Sequence, residues 1–192
     1  MNKNLKTFLI AFCLSLHPVS LFAAAANPGP QTPVQLESLQ TRAASGDEKA
    51  QMRLARIYLE GQGVPADFDK AIYYYGLVAE RDIAFAQHRL ARIYLDGTHV
   101  DPDPVIALGW LQRAASLGYV PAQLDLSLLY ETGAGVPPDL TEAYKWFVIA
   151  TSLTDSELDS RRVHLEAKMT SIELAHGEIL ARMCMLGGYR DC

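Results

Sequence analysis

The sequence has 192 residues, of which 49% are hydrophobic, and it carries a formal net charge of −5 at pH 7. A chain of this length can bury one ordinary hydrophobic core, so the fold class has to be predicted from the residue pattern. The acidic balance argues against a nucleic-acid partner, because such partners are bound through clustered lysines and arginines.

The N-terminal segment 1–25 has the pattern of a secretory signal peptide. Two lysines precede an apolar run at 8–16, which is too short to span a bilayer, and four consecutive alanines offer cleavage sites. The alternative is a permanent anchor, which His17 and Pro18 disfavour because they interrupt the apolar run. We therefore expect a periplasmic or secreted protein that is not integral to the membrane after cleavage, with a flexible leader at 26–31.

An internal repeat organises the rest of the chain. The stretch RLARIYL occurs at 53–59 and again at 89–95, which is a shift of 36 positions. A third, less similar copy follows at the same spacing, and a period of this length is typical of stacked repeat arrays. Several positions carry the same residue type in all three copies. They include Ala50, Ala86 and Ala122; Leu54, Leu90 and Leu126; Tyr58, Tyr94 and Tyr130; Gly61, Gly97 and Gly133; and Ala71, Ala107 and Ala143.

Each unit predicts two helices. In the first, Ala50, Leu54, Ile57 and Tyr58 share one helical face, and Gly61 ends the helix because a Cβ would penalise the left-handed conformation that follows a helix. The second helix of each unit begins at an aspartate, such as Asp67 or Asp103, whose carboxylate accepts a main-chain N–H. The connection between the two helices is short, so they must pack antiparallel.

The two ends of the array also predict helices. Thr32 to Gln35 resembles a capping box with proline at the first helical position, which predicts a helix that runs to about Ala44. Thr170 to Glu173 is a second capping box, which predicts a helix from about Ser171 to Leu186. We therefore predict an all-α solenoid of antiparallel helix pairs over 32–157. It has three full repeats, an N-terminal half unit, and a C-terminal helical cap and tail at 158–192.

The pattern A-x-x-x-L-A-x-x-Y-x-x-G-x-G-V-x-x-D-x-x-x-A-x-x-W/Y resembles the Sel-1-like repeat, a relative of the tetratricopeptide repeat. The 36-residue period and the G-x-G-V loop distinguish it from the 34-residue tetratricopeptide form. The resemblance implies a solenoid that binds protein partners and has no chemistry of its own. One departure is His99, which stands where the neighbouring units have Gly63 and Gly135. A positive φ at this position would cost a histidine ~1 kcal/mol.

In repeats of this kind the first helix of each unit lines the concave face, so the resemblance implies a partner-binding groove. Arg56 and Arg92 would lie one above the other, and arginine suits bidentate recognition of a carboxylate. We expect a peptide or protein segment with an acidic group or a free C-terminus. The alternative is that the arginines are solvated and that the apolar residues belong to the core. The predicted groove residues are Met52, Arg56, Leu59, His88, Arg92, Leu95, Leu124 and Leu128, with Glu131 at an equivalent position.

Signatures of catalysis are scarce. The sequence lacks nucleophile-elbow, zinc-protease, phosphate-loop and paired C-x-x-C motifs, so we predict a non-enzyme with no cofactor and no metal site. Glu60 and Asp96 hold the same place in successive units, and helices ~8–10 Å apart would give them a spacing seen in inverting hydrolases. The simpler interpretation is two solvated acids at helix ends.

Cys184 and Cys192 are close enough in sequence for a small disulfide after export; free thiols or an intermolecular bond are the alternatives. Taken together, the sequence predicts an exported protein–protein interaction scaffold, or adaptor, of the cell envelope. A cell-wall-associated hydrolase and a secreted effector that binds host proteins are the alternative functions.

Overall fold

The computed structural model of the protein describes residues 33–98, 100–152, 159–189 and 192. Within these residues all regular secondary structure is helical, and the predicted all-α solenoid of helix pairs is confirmed. The signal peptide, the leader at 26–31 and His99 lie outside the described residues, so the predictions about them stay predictions. The helices are α1 (Pro33–Ala44), α2 (Glu48–Glu60), α3 (Phe68–Ala79), α4 (Ala84–Asp96), α5 (Pro104–Ser116), α6 (Val120–Thr132), α7 (Leu140–Thr151), α8 (Asp159–Glu166) and α9 (Ser171–Leu186).

The helix ends follow the sequence signals. Asp67 accepts a hydrogen bond from the main-chain N–H of Lys70, and Asp47, Asp103 and Asp139 cap α2, α5 and α7 in the same way. Thr170 and Glu173 form the predicted capping box at the start of α9. The glycines that end the first helix of each unit have left-handed φ values of 66°, 59° and 68° at Gly61, Gly97 and Gly133. The residues that begin and end the helices of the repeat are therefore predictable from the sequence alone.

The helices from α1 to α7 pack in chain order, each against the one before and the one after. Alanine recurs at buried positions of these helices, where Ala71, Ala86, Ala107, Ala122 and Ala143 are fully buried. A small side chain lets two helix backbones approach closely without leaving a void. The repeated alanines of the sequence thus set the spacing between neighbouring helices.

A row of buried glutamines joins successive units. The side-chain Nε2 atoms of Gln51, Gln87 and Gln123 donate to the main-chain oxygens of Ala43, Ala79 and Ala115 at 3.0, 2.9 and 3.2 Å. Each acceptor lies near the end of the preceding helix, where main-chain oxygens lack partners within the helix. Each junction between units therefore contains one buried hydrogen bond from a repeated glutamine.

The C-terminal cap departs from the repeat. The helix that packs along the length of α7 is α9, whereas α8 contacts α7 at one place, where the buried Leu165 packs with Tyr144 and Phe147. Gly177 lies at the crossing of α9 and α7, and a Cβ there would lie 3.0 Å from Cδ1 of Tyr144. Cys184 and Cys192 form a disulfide, with their Cα atoms 5.1 Å apart. The main-chain oxygen of Cys192 accepts a hydrogen bond from the buried Lys145 at 2.9 Å, so the tail lies against α7.

Candidate functional site

A cavity of about 630 Å³ opens between α2 and α4, the first helices of two successive units. Its wall carries four basic side chains, and we call it the basic pocket. Two glutamates, Glu48 and Glu60, also line it, so cations outnumber carboxylates in a chain whose net charge is negative. The basic residues are Lys49, Arg53 and Arg56 on α2 and Arg89 on α4. Such a wall favours an anionic group in the cavity.

Arg56 occupies a special position in this pocket. Its Nε atom is buried, yet it donates no hydrogen bond to any residue that the structure describes. A buried donor without an acceptor is costly, and more so when the group is charged. An anionic group in the pocket would contact the part of the Arg56 side chain that lines the cavity, next to the other cations, rather than the buried Nε itself.

The basic pocket also has an apolar side. Met52 is half-buried and packs against the core formed by α3 and α4, and Phe85 is 44% exposed at the opposite wall. Tyr75 closes the base from α3 and is fully buried. The pocket can therefore hold an anionic group and an apolar side chain next to each other.

A smaller cavity of about 180 Å³ continues from the basic pocket along α4, and Arg89 lines both. Leu59 and Arg92 meet in this second cavity. Arg92 lies 3.3 Å from Asp96 and 3.6 Å from Asp125, so carboxylates of the protein already neutralise it. Arg92 is less available to a partner than the sequence prediction assumed.

His88 has a structural partner as well. Its Nε2 atom lies 2.9 Å from Oδ2 of Asp125, and its ring packs on Tyr119 with centroids 5.4 Å apart. Since His88 and Arg92 both contact Asp125, they connect α4 to α6. The middle of the predicted groove is thus closed by contacts between α4 and α6.

The far end of the concave face is covered by α8. Glu131 on α6 is 8% exposed and lies 2.9 Å from Lys168, 3.4 Å from His164 and 3.7 Å from Arg161. Arg161 also donates to the hydroxyl of Ser127 at 3.1 Å. These contacts leave the stretch between α2 and α4 as the open part of the face.

The predicted apolar strip is divided between core and surface. Leu59, Leu95 and Leu124 are partly buried and pack against core clusters, whereas Leu128 is 47% exposed on α6. Three of these four leucines therefore contribute to packing, which is the alternative that the sequence analysis left open. The structure brings Met52 and Arg56 together, and it separates them from the leucines of α6.

Sequence reasoning missed Lys49, Arg53, Phe85 and Arg89. A signal was present, because Arg53 and Arg89 are the first residues of the repeated RLARIYL stretch itself. Arg53 and Arg56 are three positions apart, which places both on one side of the helix. Asp125 was also missed, and nothing in the sequence marks this acid as the partner of His88.

The structure assigns no special chemistry to the two acids considered for hydrolysis. Glu60 and Asp96 are both exposed; Gln62 donates a hydrogen bond to Glu60, and Arg92 pairs with Asp96. Among the described residues, no group of three or more His, Cys, Asp or Glu side chains is arranged to hold a metal ion. In the same part of the chain, no helix combines the length and apolar character needed to cross a membrane.

The model of the Sel1 repeat family matches residues 48–82, 84–119 and 120–155. The chain belongs to the Sel1 repeat family. Sel1 repeats mediate protein–protein interactions and the family is typically non-catalytic, so the chain is an interaction scaffold that binds protein partners. A search of curated proteins gives no match.

Two solved structures resemble this Sel1 chain. A Sel1 repeat protein from Oxalobacter formigenes is 35% identical, with a TM-score of 0.56, over 66% of this chain and 95% of its own. The c5321 protein, a protective antigen present in uropathogenic Escherichia coli strains and displaying an SLR fold, is 25% identical with a TM-score of 0.50. That match covers 84% of this chain but 44% of the antigen.

Proposed function

We propose that this Sel1 protein is an exported adaptor of the cell envelope whose basic pocket binds a partner protein through an acidic segment or a free C-terminus. The observation that carries the proposal is the wall of the basic pocket, where Arg56 lies among three further cations and beside the apolar Met52 and Phe85. Export rests on the signal-peptide pattern of residues 1–25, which leads us to expect a periplasmic or secreted protein.

The shape of the pocket favours a peptide over a small ion. The wall that carries Arg56 and Arg89 is continuous with the apolar surfaces of Met52 and Phe85. A carboxylate beside an apolar side chain would contact both surfaces at once. Arginine side chains can hold such a carboxylate through two parallel hydrogen bonds, which gives the contact a direction as well as a charge.

The closed part of the concave face supports the same choice of site. His88 and Arg92 are held by Asp125, and Glu131 is held by side chains of α8 and by Lys168, which follows it. A partner segment that bound there would have to displace these ion pairs. Arg56 and Arg89 of the basic pocket form no ion pair with a carboxylate that the structure describes, so we place the first contact of the partner between α2 and α4.

Site-specific photo-crosslinking in the native cell tests the proposal. A photoreactive residue replaces Met52 in the pocket, and a control probe replaces Tyr73, which is 60% exposed on α3. We expect the Met52 probe to capture a protein that the Tyr73 probe does not. Mass spectrometry of the adduct then identifies both the partner and the segment that lies in the pocket.

A pair of matched variants shows whether charge directs the capture. The double variant Arg56→Gln, Arg89→Gln removes two charges from the pocket, and Arg113→Gln, Arg162→Gln removes two charges from α5 and α8. We expect the first to lower affinity for the captured segment about 10-fold or more, as for the loss of charge-assisted hydrogen bonds, and the second to leave it unchanged. Equal affinity of both variants and the wild type would contradict the proposal.

Two further measurements separate the alternatives. Fractionation of the cell distinguishes a periplasmic adaptor from a secreted effector by the compartment in which the protein accumulates. Incubation of the purified protein with cell-wall material tests for a hydrolase. Release of soluble fragments that disappears in Glu60→Ala and Asp96→Ala variants would favour the enzyme.

A further inference from the structure

The outer side of α9 carries an apolar stripe that is interrupted once, by the exposed His176. Its four members are spaced by seven, four and three residues, which places them on one face of a helix. The opposite face, with Gly177, Ala181 and Cys184, is buried in the protein. The members of the stripe are Ile172, Ile179, Met183 and Leu186, with exposed fractions of 80%, 55%, 63% and 84%. A stripe of this kind marks an interaction surface, whereas single exposed apolar residues do not.

The other end of the solenoid does not offer a matching surface. Among the large apolar residues of α1, Val34 alone is strongly exposed in the described structure. Head-to-tail stacking of copies would therefore place an apolar face against a largely polar one. The surface that best matches the stripe of α9 in apolar character is the stripe of another copy.

The charges beside the stripe are arranged for self-pairing. Glu178 and Arg182 lie one turn apart along one edge of it, and both are exposed. Consider two copies of α9 that run antiparallel about a two-fold axis near residue 180. Glu178 then lies opposite Arg182 of the second copy, and Ile172 and Ile179 lie within about 3 Å along the helix axis of the positions of Leu186 and Met183.

We propose that α9 is the interface of a two-fold homodimer in which the stripe packs antiparallel against the stripe of a second copy. The same surface patch serves both copies, as in other isologous contacts. One helix from each copy buries less than the ~1,200–2,000 Å² typical of specific, stable complexes, so the dimer is weak. We expect a dissociation constant on the order of 10–100 µM.

This interface is remote from the basic pocket, which lies between α2 and α4. The dimer would therefore present two pockets on one particle. A partner with two acidic segments, or an array of partners, would gain affinity because the second contact is intramolecular. The proposal does not depend on what the pocket binds.

Sedimentation equilibrium of the purified protein, from about 1 to 300 µM, tests the dimer. We expect a monomer–dimer equilibrium in the wild type. Ile179→Glu should raise the dissociation constant about 10-fold or more, because it buries a charge in the interface. Val105→Glu is the matched control on α5, where the replaced side chain is 70% exposed, and it should leave the constant unchanged.

Charge reversal tests the antiparallel arrangement. Glu178→Arg and Arg182→Glu should each weaken the dimer, and the double variant should restore it to within about 3-fold of the wild type. Circular dichroism confirms that each variant stays folded, since all four positions are exposed in the monomer. A monomer at every concentration, an open series of oligomers, a dimer indifferent to Ile179→Glu, or a double variant weaker than both single variants would overturn the proposal.

Discussion

The side-chain Nε2 atom of Gln87 donates a hydrogen bond to the main-chain oxygen of Ala79 at 2.9 Å. This contact joins the start of α4 to the end of α3, across the junction between two repeats. Both residues are fully buried. A polar contact in such a place fixes the relative position of two units as well as contributing to stability.

Replacing Gln87 with leucine should destabilise the junction. The substitution keeps the volume similar but removes the donor to Ala79, so we expect the free energy of unfolding to fall by roughly 1–2 kcal/mol. Urea denaturation followed by circular dichroism measures the change. Gln112→Leu, at an exposed site on α5, should change it by less than about 0.5 kcal/mol. Equal effects of the two substitutions would show that the junction contact adds nothing.

Tyr144 makes stability depend on alkaline pH. Burial, and then the hydrogen bond to Glu166, raise the pKa of Tyr144 to about 12 from an ordinary 10.0. A pKa that is raised in the folded state contributes stability fully below pH 10 and loses it as the pH rises from 10 towards 12. The neutral hydroxyl is therefore the form that the folded protein favours.

Substituting Tyr144 with phenylalanine tests this dependence. Near neutral pH the variant should be less stable by about 1 kcal/mol, because the hydrogen bond to Glu166 is lost. Between pH 10 and 12 its stability should fall less steeply than that of the wild type. Urea midpoints across this range measure the slope, and Tyr73→Phe, at an exposed site, should keep the wild-type slope. Identical slopes for Tyr144→Phe and the wild type would remove Tyr144 as the cause.

Gly177 controls the docking of α9 on α7. A valine there would press on Tyr144 and on the main-chain oxygen of Thr141, which lie 3.0 and 3.3 Å from the position of its Cβ. We expect a loss of about 1–3 kcal/mol, typical of overpacking, and faster protease cleavage within α9. Gly109 is the control, since a Cβ on this exposed residue of α5 meets nothing within 4 Å. Gly109→Ala should stabilise the protein by roughly 0.5–1 kcal/mol.

The Cys184–Cys192 disulfide closes a small loop at the C-terminal cap. Reduction should lower the free energy of unfolding by about 2 kcal/mol, because the unfolded chain gains conformational entropy when the disulfide no longer closes the loop. Denaturation with and without a dithiol reductant measures the difference. Cys192→Ser should match the reduced wild type and should not respond to the reductant. If the reductant still lowered the stability of Cys192→Ser, its effect on the wild type would not come from this disulfide.

The fold was predictable because its signals are local and repeated. The alanine, glycine and aspartate positions each act within one or two helical turns, and three copies at a fixed spacing leave little ambiguity. The bounds predicted for the last helix, about Ser171 to Leu186, agree with α9. The packing of α9 rather than α8 along α7 was not predictable, because it depends on contacts between residues far apart in sequence.

The candidate site was predictable in part. Met52 and Arg56 were identified from the face of one helix, and the structure places both in the basic pocket. The pairing of His88 and Arg92 was not predictable, because both side chains contact the carboxylate of Asp125, which belongs to a neighbouring unit. Helical periodicity shows which residues share a face but not which of them neutralise one another.

The row of junction glutamines has a consequence for the size of the protein. Gln51, Gln87 and Gln123 each find their acceptor eight residues earlier, so the joint depends only on the sequence of adjoining units. A further copy of residues 84–119 inserted after the second unit would meet the same joint on both sides. The number of repeats then determines the distance between a partner bound near the start of the array and a partner bound at its end.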